Sequence, residues 1–154
     1  MRFLPESGPR RRRKRVVQAV QILYSAMLLY WMFLGFGREV HTGGPWRYNL
    51  VPWKTVSLYL DMGNRLSLWN RAVNLLGNVA VFVPFGLLLP LIWNKLSSAV
   101  RLALVMIPVI LLLECLQMLL HVGSFDVDDL LLNMLGVWAG YAVIRLGRRT
   151  GRNS

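Results

Sequence analysis

Four polar residues with useful chemistry lie within or at the edges of long apolar stretches of this chain: Glu114, Asn74, Asn78 and Asn133. A carboxylate or carboxamide is costly in the hydrocarbon of a bilayer, so such residues usually face the interior of a helix bundle or a water-filled cavity. A carboxyl group held there can exchange a proton or accept hydrogen bonds from a ligand, and amides can orient that ligand. These residues are therefore the first candidates for a functional site.

Helical spacing places further polar residues beside them. Asn74 and Asn78 are four residues apart, and Gln117 and His121 follow Glu114 at three and seven residues. Residues at these spacings share one face of an α-helix. Asn78 and Glu114 would each lie about 9 Å below the same membrane face, at 1.5 Å per residue. The sequence thus predicts one polar layer shared by neighbouring helices.

A further stripe occupies the last apolar stretch, with steps of three, four, three and four residues: Asp126, Asp129, Asn133, Gly136 and Gly140. The two glycines form a small-xxx-small motif, which lets another helix approach closely. Asp126 also suits the N-cap of this helix, with Asp129 placed as in a capping box. Capping does not exclude contact between these carboxylates and a ligand.

The elements that must position these residues are four apolar stretches at residues 16–37, 72–93, 102–120 and 130–146. About 20 apolar residues are enough for a helix to span a bilayer. The composition is 55 % hydrophobic and 16 % charged, which is typical of membrane proteins. We therefore predict an all-α, polytopic membrane bundle of four transmembrane helices.

The first outer loop should contain a short interfacial helix. Residues 38–71 are rich in Trp and Tyr, which favour the membrane–water interface. Pro52 suits the first position of a helix, and Trp53, Val56 and Leu60 would then share one face.

Of the 18 Lys and Arg residues behind the formal charge of +11, most lie at the two ends of the chain and two lie in residues 94–101. The other five lie in residues 38–71: Arg38, Arg47, Lys54, Arg65 and Arg71. By the positive-inside rule, both termini and this turn are predicted to be cytoplasmic. We expect a disordered basic tail at 1–15, a transmembrane domain at 16–147 and a second basic tail at 148–154. The basic tails would attract anionic inner-leaflet lipid, and no nucleic acid is expected as a partner.

Metal chemistry has weak support in the sequence. Glu114, His121, Asp126 and Asp129 offer ligands that a hard divalent cation accepts, but they lack a ligand-spacing signature. The sequence therefore predicts no metal and no cofactor.

Several segments, taken in order, resemble the VanZ-like family of bacterial membrane proteins. The resemblance runs over roughly residues 49–141 and implies a multi-pass protein of the bacterial cell membrane; the founding member of the family confers teicoplanin resistance. The characteristic positions it implies here largely coincide with the polar layer. The segments are Asn49-Leu-Val-Pro52-Trp53, Asn74-Leu-Leu-Gly77-Asn78, Phe82-Val-Pro84-Phe-Gly86, Glu114-Cys-Leu-Gln117, Gly123-Ser-Phe-Asp126-Val-Asp128-Asp129 and Asn133-Met-Leu-Gly136.

Three functions follow as hypotheses. The first is recognition of a polar lipid, a lipid-linked cell-wall precursor or a glycopeptide at the outer leaflet, with a link to teicoplanin-type resistance. Its binding residues would be Asn49, Asn74, Asn78, Gln117 and Asn133. The second is a membrane-embedded enzyme acting on such a lipid, with Glu114 as general acid or base and Asp126 and Asp129 as its catalytic partners. The third is a structural subunit that assembles through its glycine motif, in an oligomer or a larger membrane complex.

Overall fold

Five α-helices form the described part of the chain. The computed structural model describes residues 8–35 and 44–150, and the side chain of residue 149 is not described. The helices are α1 (Gly8–Phe33), α2 (Lys54–Leu60), α3 (Leu68–Ile92), α4 (Ala99–Leu119) and α5 (Val127–Thr150). Within the described ranges, α1, α3, α4 and α5 are long and apolar enough to span a membrane. The predicted all-α, four-span bundle with a short helix in the first loop is confirmed.

Both ends of the helical region differ from the sequence-based boundaries. Residues 8–15, predicted as part of a disordered tail, are the first turns of α1, and α5 continues to Thr150. Arg and Lys are good helix formers, so basic residues extend a helix beyond its apolar stretch. Pro9 lies in the first turn of α1, where its missing N–H is not needed. The remaining tail residues, 1–7 and 151–154, lie outside the described residues.

The main helix–helix contact is a close approach of the α3 and α5 backbones. A Cβ atom at Gly86 would lie 2.0 Å from the Val137 carbonyl oxygen, and one at Gly140 would lie 2.1 Å from the Val83 carbonyl oxygen. Gly136 makes the same kind of contact with α3. The small-xxx-small motif is therefore used inside the chain, so the predicted use of its glycines to bind a partner subunit is wrong.

The apolar core fills the space between α3, α4 and α5. Phe82, Leu102, Met106, Ile110 and Val137 are almost fully buried there. Helix α1 packs on the outer side of α3. Its Tyr24 hydroxyl donates a 2.8 Å hydrogen bond to the Val81 carbonyl oxygen, and the Tyr24 ring meets Phe85 edge-on.

The turn between α3 and α4 lies at the same end of the bundle as the start of α1 and the end of α5. The Tyr141 hydroxyl donates to the Ser97 carbonyl oxygen at 2.9 Å, and the Arg148 guanidinium donates to the Pro90 carbonyl oxygen at 3.0 Å. A groove of about 340 Å³ at this end is lined by Arg10, Arg13, Lys14 and Arg148, among other residues. The polar layer lies at the opposite end.

At that opposite end, two short strands tie the loop between α1 and α2 to the start of α5. Strand β1 (Tyr48–Asn49) pairs in parallel with β2 (Phe125–Asp126). The Phe125 N–H also donates to the Arg47 carbonyl oxygen at 3.1 Å. The pairing joins two segments that are far apart in the sequence and holds the loop against the start of α5.

The glycine contact predicts a marked difference between two Gly→Ala variants. Gly140→Ala should lower the free energy of unfolding by about 1–3 kcal/mol, because the methyl group has no space against the α3 backbone. Gly77→Ala is the matched control on α3, where a Cβ meets nothing within 4 Å. It should be neutral or stabilising because Ala favours helices. Denaturation of both proteins in one detergent tests this, and equal stability would contradict the described packing.

Candidate functional site

Asp126 caps α5 and also holds the loop between α1 and α2. Its carboxylate accepts hydrogen bonds from the Asp128 N–H at 2.9 Å and from the Asn49 side-chain amide at 3.1 Å. The Thr55 hydroxyl donates to its second oxygen. Asp126 is thus a buried N-cap, as the sequence indicates, with its oxygens already engaged by the protein. Asn49 and Asp126, predicted as site residues, hold each other beside the polar layer.

Asp128 caps α2 from a distant part of the chain. Its carboxylate accepts hydrogen bonds from the backbone N–H groups of Trp53 at 2.6 Å, Thr55 at 2.8 Å and Val56 at 3.1 Å. It is fully buried. These N–H groups have no partner within their own helix, and an anion is favoured at a helix N-terminus.

Sequence reasoning missed the role of Asp128 because this residue lies off the helical stripe of Asp126 and Asp129. Two signals could have found it: its presence in the Asp126-Val-Asp128-Asp129 segment, and the lack of a capping side chain before Lys54. The predicted helix start at Pro52 is two residues early. Trp53 adopts a left-handed conformation with φ 67°, which turns the chain so that its N–H points at Asp128.

Arg71 stabilises the connection between α2 and α3. Its buried guanidinium donates hydrogen bonds to the carbonyl oxygens of Tyr59 at 2.7 Å and Asp61 at 2.6 Å, and to the side chain of Asn64 at 2.6 Å. The Arg71 charge is therefore directed at the loop. The sequence counted this residue only as an outer basic charge.

Tyr59 lies close to the acidic residues at the start of α5. Burial is the largest cause that raises the pKa of its phenol, and the negative charges of Asp129 and Asp126 add to the effect. Helix α2 thus lies near the acidic end of α5, where Asp128 holds its N-terminus.

A polar cavity of about 240 Å³ lies between α1, α3, α4 and α5. Six of the eight predicted site residues line it, and they come from three helices. The predicted residues in its lining are Asn74, Asn78, Glu114, Gln117, Asp129 and Asn133. Met32, Val81 and Phe82 provide an apolar wall, and Gly123 and Ser124 lie at its edge. The polar layer deduced from spacing and depth is thus one contiguous site.

Side-chain hydrogen bonds connect the walls of this cavity. The Asn78 amide donates to the Asp129 carboxylate, the Asn133 amide donates to Glu114 Oε1 at 3.4 Å, and the Gln117 amide donates to the Met32 carbonyl oxygen at 3.0 Å. Glu114 is 3 % exposed and Asn133 is 2 % exposed. The Asn133 side-chain oxygen is buried and accepts no hydrogen bond. Such an orphaned acceptor is costly unless something donates to it.

Two of the polar residues identified from spacing hold peripheral positions. Asn74 is exposed, and its amide donates to the Asn70 carbonyl oxygen at 2.7 Å on its own helix. His121 has φ 56° and lies just beyond the end of α4. In residues 8–35 and 44–150, no three His, Cys, Asp or Glu side chains converge as ligands for a metal ion.

Four apolar helices around a buried polar cavity define a polytopic membrane protein. A family model described as VanZ/LLP1 matches residues 21–148, which include the second half of α1, all of α2, α3 and α4, and α5 up to its last two residues. The chain therefore belongs to the VanZ/LLP1 family. No significant match to a curated protein or to a solved structure was found.

The capping contact of Asp128 predicts a local effect at α2. Asp128→Asn should weaken three hydrogen bonds to a charged acceptor, so the amides of residues 53–56 should exchange with solvent about tenfold faster, equivalent to about 1.4 kcal/mol. Asp61→Asn is the control, because that exposed carboxylate accepts from Gly63 in its own loop. Hydrogen exchange followed by mass spectrometry measures both, and unchanged exchange in Asp128→Asn would contradict the capping role.

Proposed function

We propose that this VanZ-family protein recognises the polar group of a membrane-anchored molecule at the outer leaflet. Candidates are a polar lipid, a lipid-linked cell-wall precursor or a membrane-bound glycopeptide. The observation that carries the proposal is the cavity itself, where Glu114, Asp129 and Asn133 meet between apolar helices. Buried polar groups in a membrane bundle are expensive, and a binding site accounts for them.

The unsatisfied oxygen of Asn133 supports a binding role. A purely structural amide would be expected to satisfy both its donor and its acceptor, since buried polar groups are nearly always paired. Here the amide nitrogen binds Glu114, while the oxygen is left for a further donor. A ligand group that enters the cavity could complete this set.

The outer-leaflet position rests on charge. The start of α1, the end of α5 and the turn at 93–98 lie at one end of the bundle, and basic residues concentrate there. By the positive-inside rule this end faces the cytoplasm of a bacterial cell, which puts the cavity near the opposite face of the membrane. Anionic lipid of the inner leaflet is the proposed partner of the basic end.

Removal of the Glu114 charge tests the recognition proposal. Glu114→Gln keeps the shape of the side chain but removes an ionisable acceptor, and it should abolish any teicoplanin-type resistance that the wild-type protein confers. The matched control is Asp61→Asn, which removes an exposed acid outside the cavity. Susceptibility of the cells is measured together with the amount of protein in the membrane. Full resistance in Glu114→Gln, at normal membrane levels, would overturn the proposal.

A second candidate is an enzyme that modifies a lipid-linked substrate. The observation that favours it is the position of two carboxyl groups, Glu114 and Asp129, in one cavity partly shielded from water. Glu114 would transfer the proton, with Asp129 as its partner. Asp126 does not fit the catalytic role predicted for it, because its oxygens are bound to Asn49, Thr55 and the Asp128 N–H.

Lipid profiling separates the two candidates. Extracts of cells with the wild-type protein, with Glu114→Gln and without the protein are compared by mass spectrometry. An enzyme should shift the ratio of a substrate to its product only in the wild-type cells. A recognition protein should leave all three profiles alike, and this outcome would remove the enzyme candidate.

A further inference from the structure

We infer that the cavity takes an ammonium group, a cationic hydrogen-bond donor, and discriminates against phosphate. This rests on the proposed function, namely that the cavity binds a ligand, and it specifies the chemistry of that ligand. The inference comes from three properties of the cavity: the direction of its hydrogen bonds, its charge and its size.

The partner that a ligand must supply is a hydrogen-bond donor. One N–H of each of three amides, those of Asn78, Gln117 and Asn133, is directed at an oxygen of the protein. The buried Asn133 oxygen accepts nothing, whereas the Glu114 carboxyl accepts a long 3.4 Å bond from Asn133 and lies beside the backbone N–H of Asp126. Among the described lining residues, the buried side-chain atom without a partner is thus an acceptor, and a ligand that completes the set must bring a donor.

The charge of the cavity points to a cation. Two carboxyl groups line it, and its lining, within the part of the chain that the structure describes, includes no Lys or Arg. The Arg71 guanidinium, on the same helix as Asn78, is directed at the carbonyl oxygens of the loop. A phosphate would find no cationic side chain in this lining, and its unpaired negative charge would be costly in a medium of low dielectric constant. A cation would instead supply the missing partner of these acids.

The size and shape of the cavity fit a small headgroup. An ammonium carries three N–H donors, and three lining residues, Glu114, Asp129 and Asn133, have acceptor oxygens, of which the Asn133 oxygen is buried without a partner. A volume of about 240 Å³ holds roughly eight non-hydrogen atoms at about 30 Å³ each, which is a headgroup and less than a whole lipid. The wall formed by Met32, Val81 and Phe82 suits the methylene groups next to the nitrogen.

The test compares lipids that differ only in this group. The full-length protein is placed in nanodiscs of phosphatidylcholine with equal small amounts of phosphatidylethanolamine and phosphatidylglycerol of identical acyl chains, and retained lipids are measured by native mass spectrometry. Both test lipids carry a phosphate, so a preference reports on the amine. We expect phosphatidylethanolamine to be enriched at least about tenfold over its share of the bilayer, equivalent to about 1.4 kcal/mol. Phosphatidylglycerol that is retained at the basic end should not depend on Glu114.

Variants connect the preference to the cavity. Glu114→Gln should reduce the enrichment to near parity, while Asp61→Asn, outside the cavity, should keep it. If Glu114→Gln does not fold, Asp129→Asn removes the second acid and should lower the enrichment in the same way. Added ethanolamine identifies the source of the amine: competition at millimolar concentration indicates that a soluble amine suffices, and no competition indicates a lipid headgroup. Both results support the ammonium site.

The outcomes that overturn the inference differ from those that overturn the proposed function. The ammonium site alone would be refuted if retention of the glycerol lipid depended on Glu114 as strongly as that of phosphatidylethanolamine. It would also be refuted if N-acetylated phosphatidylethanolamine were retained through Glu114 as strongly as the free amine. If the wild-type protein and Glu114→Gln retain the same lipids equally, neither the ammonium site nor recognition through the cavity stands.

Discussion

The backbone contact between α3 and α5 is the constraint on which the rest of the structure depends. Gly86, Gly136 and Gly140 let the two helices touch without intervening side chains. Asn78 on α3 consequently comes within hydrogen-bond distance of Asp129 on α5. Wider spacing would separate these groups and open the cavity to lipid. Small residues in a membrane helix pair thus serve chemistry as well as packing.

Three neighbouring acidic residues at the start of α5 have three different roles. Asp126 caps its own helix and binds the loop between α1 and α2, Asp128 caps α2, and Asp129 lines the cavity, where it accepts a hydrogen bond from Asn78. The direction in which each side chain points determines its role, since all three lie within four residues. Two of these neighbouring acids are therefore structural anchors, and the third belongs to the cavity lining.

The sequence predicts what is local and misses what joins distant segments. Apolar length was enough for the four long helices, and the spacing of Asn78, Glu114 and Asn133 was enough to place them in one layer. Asp128 and Arg71 were not recognised, because their partners lie in loops whose paths depend on tertiary contacts. The parallel pairing of β1 with β2 was missed for the same reason, since two-residue strands leave no periodic pattern. The start of α1 was predicted too late in the chain. Hydropathy places the start at the first apolar residue, whereas the helix also includes the basic residues before it.

The pairing of β1 with β2 also has a consequence for biosynthesis. The loop between α1 and α2 receives its fixed position from residues that the ribosome adds only after α4, at the beginning of α5. Until that helix enters the bilayer, α2 has no cap and the wall that carries Asp129 and Asn133 does not exist. A nascent chain that stops after α4 would consist of three spans without this cavity, so the cavity matures only after α5 has been synthesised.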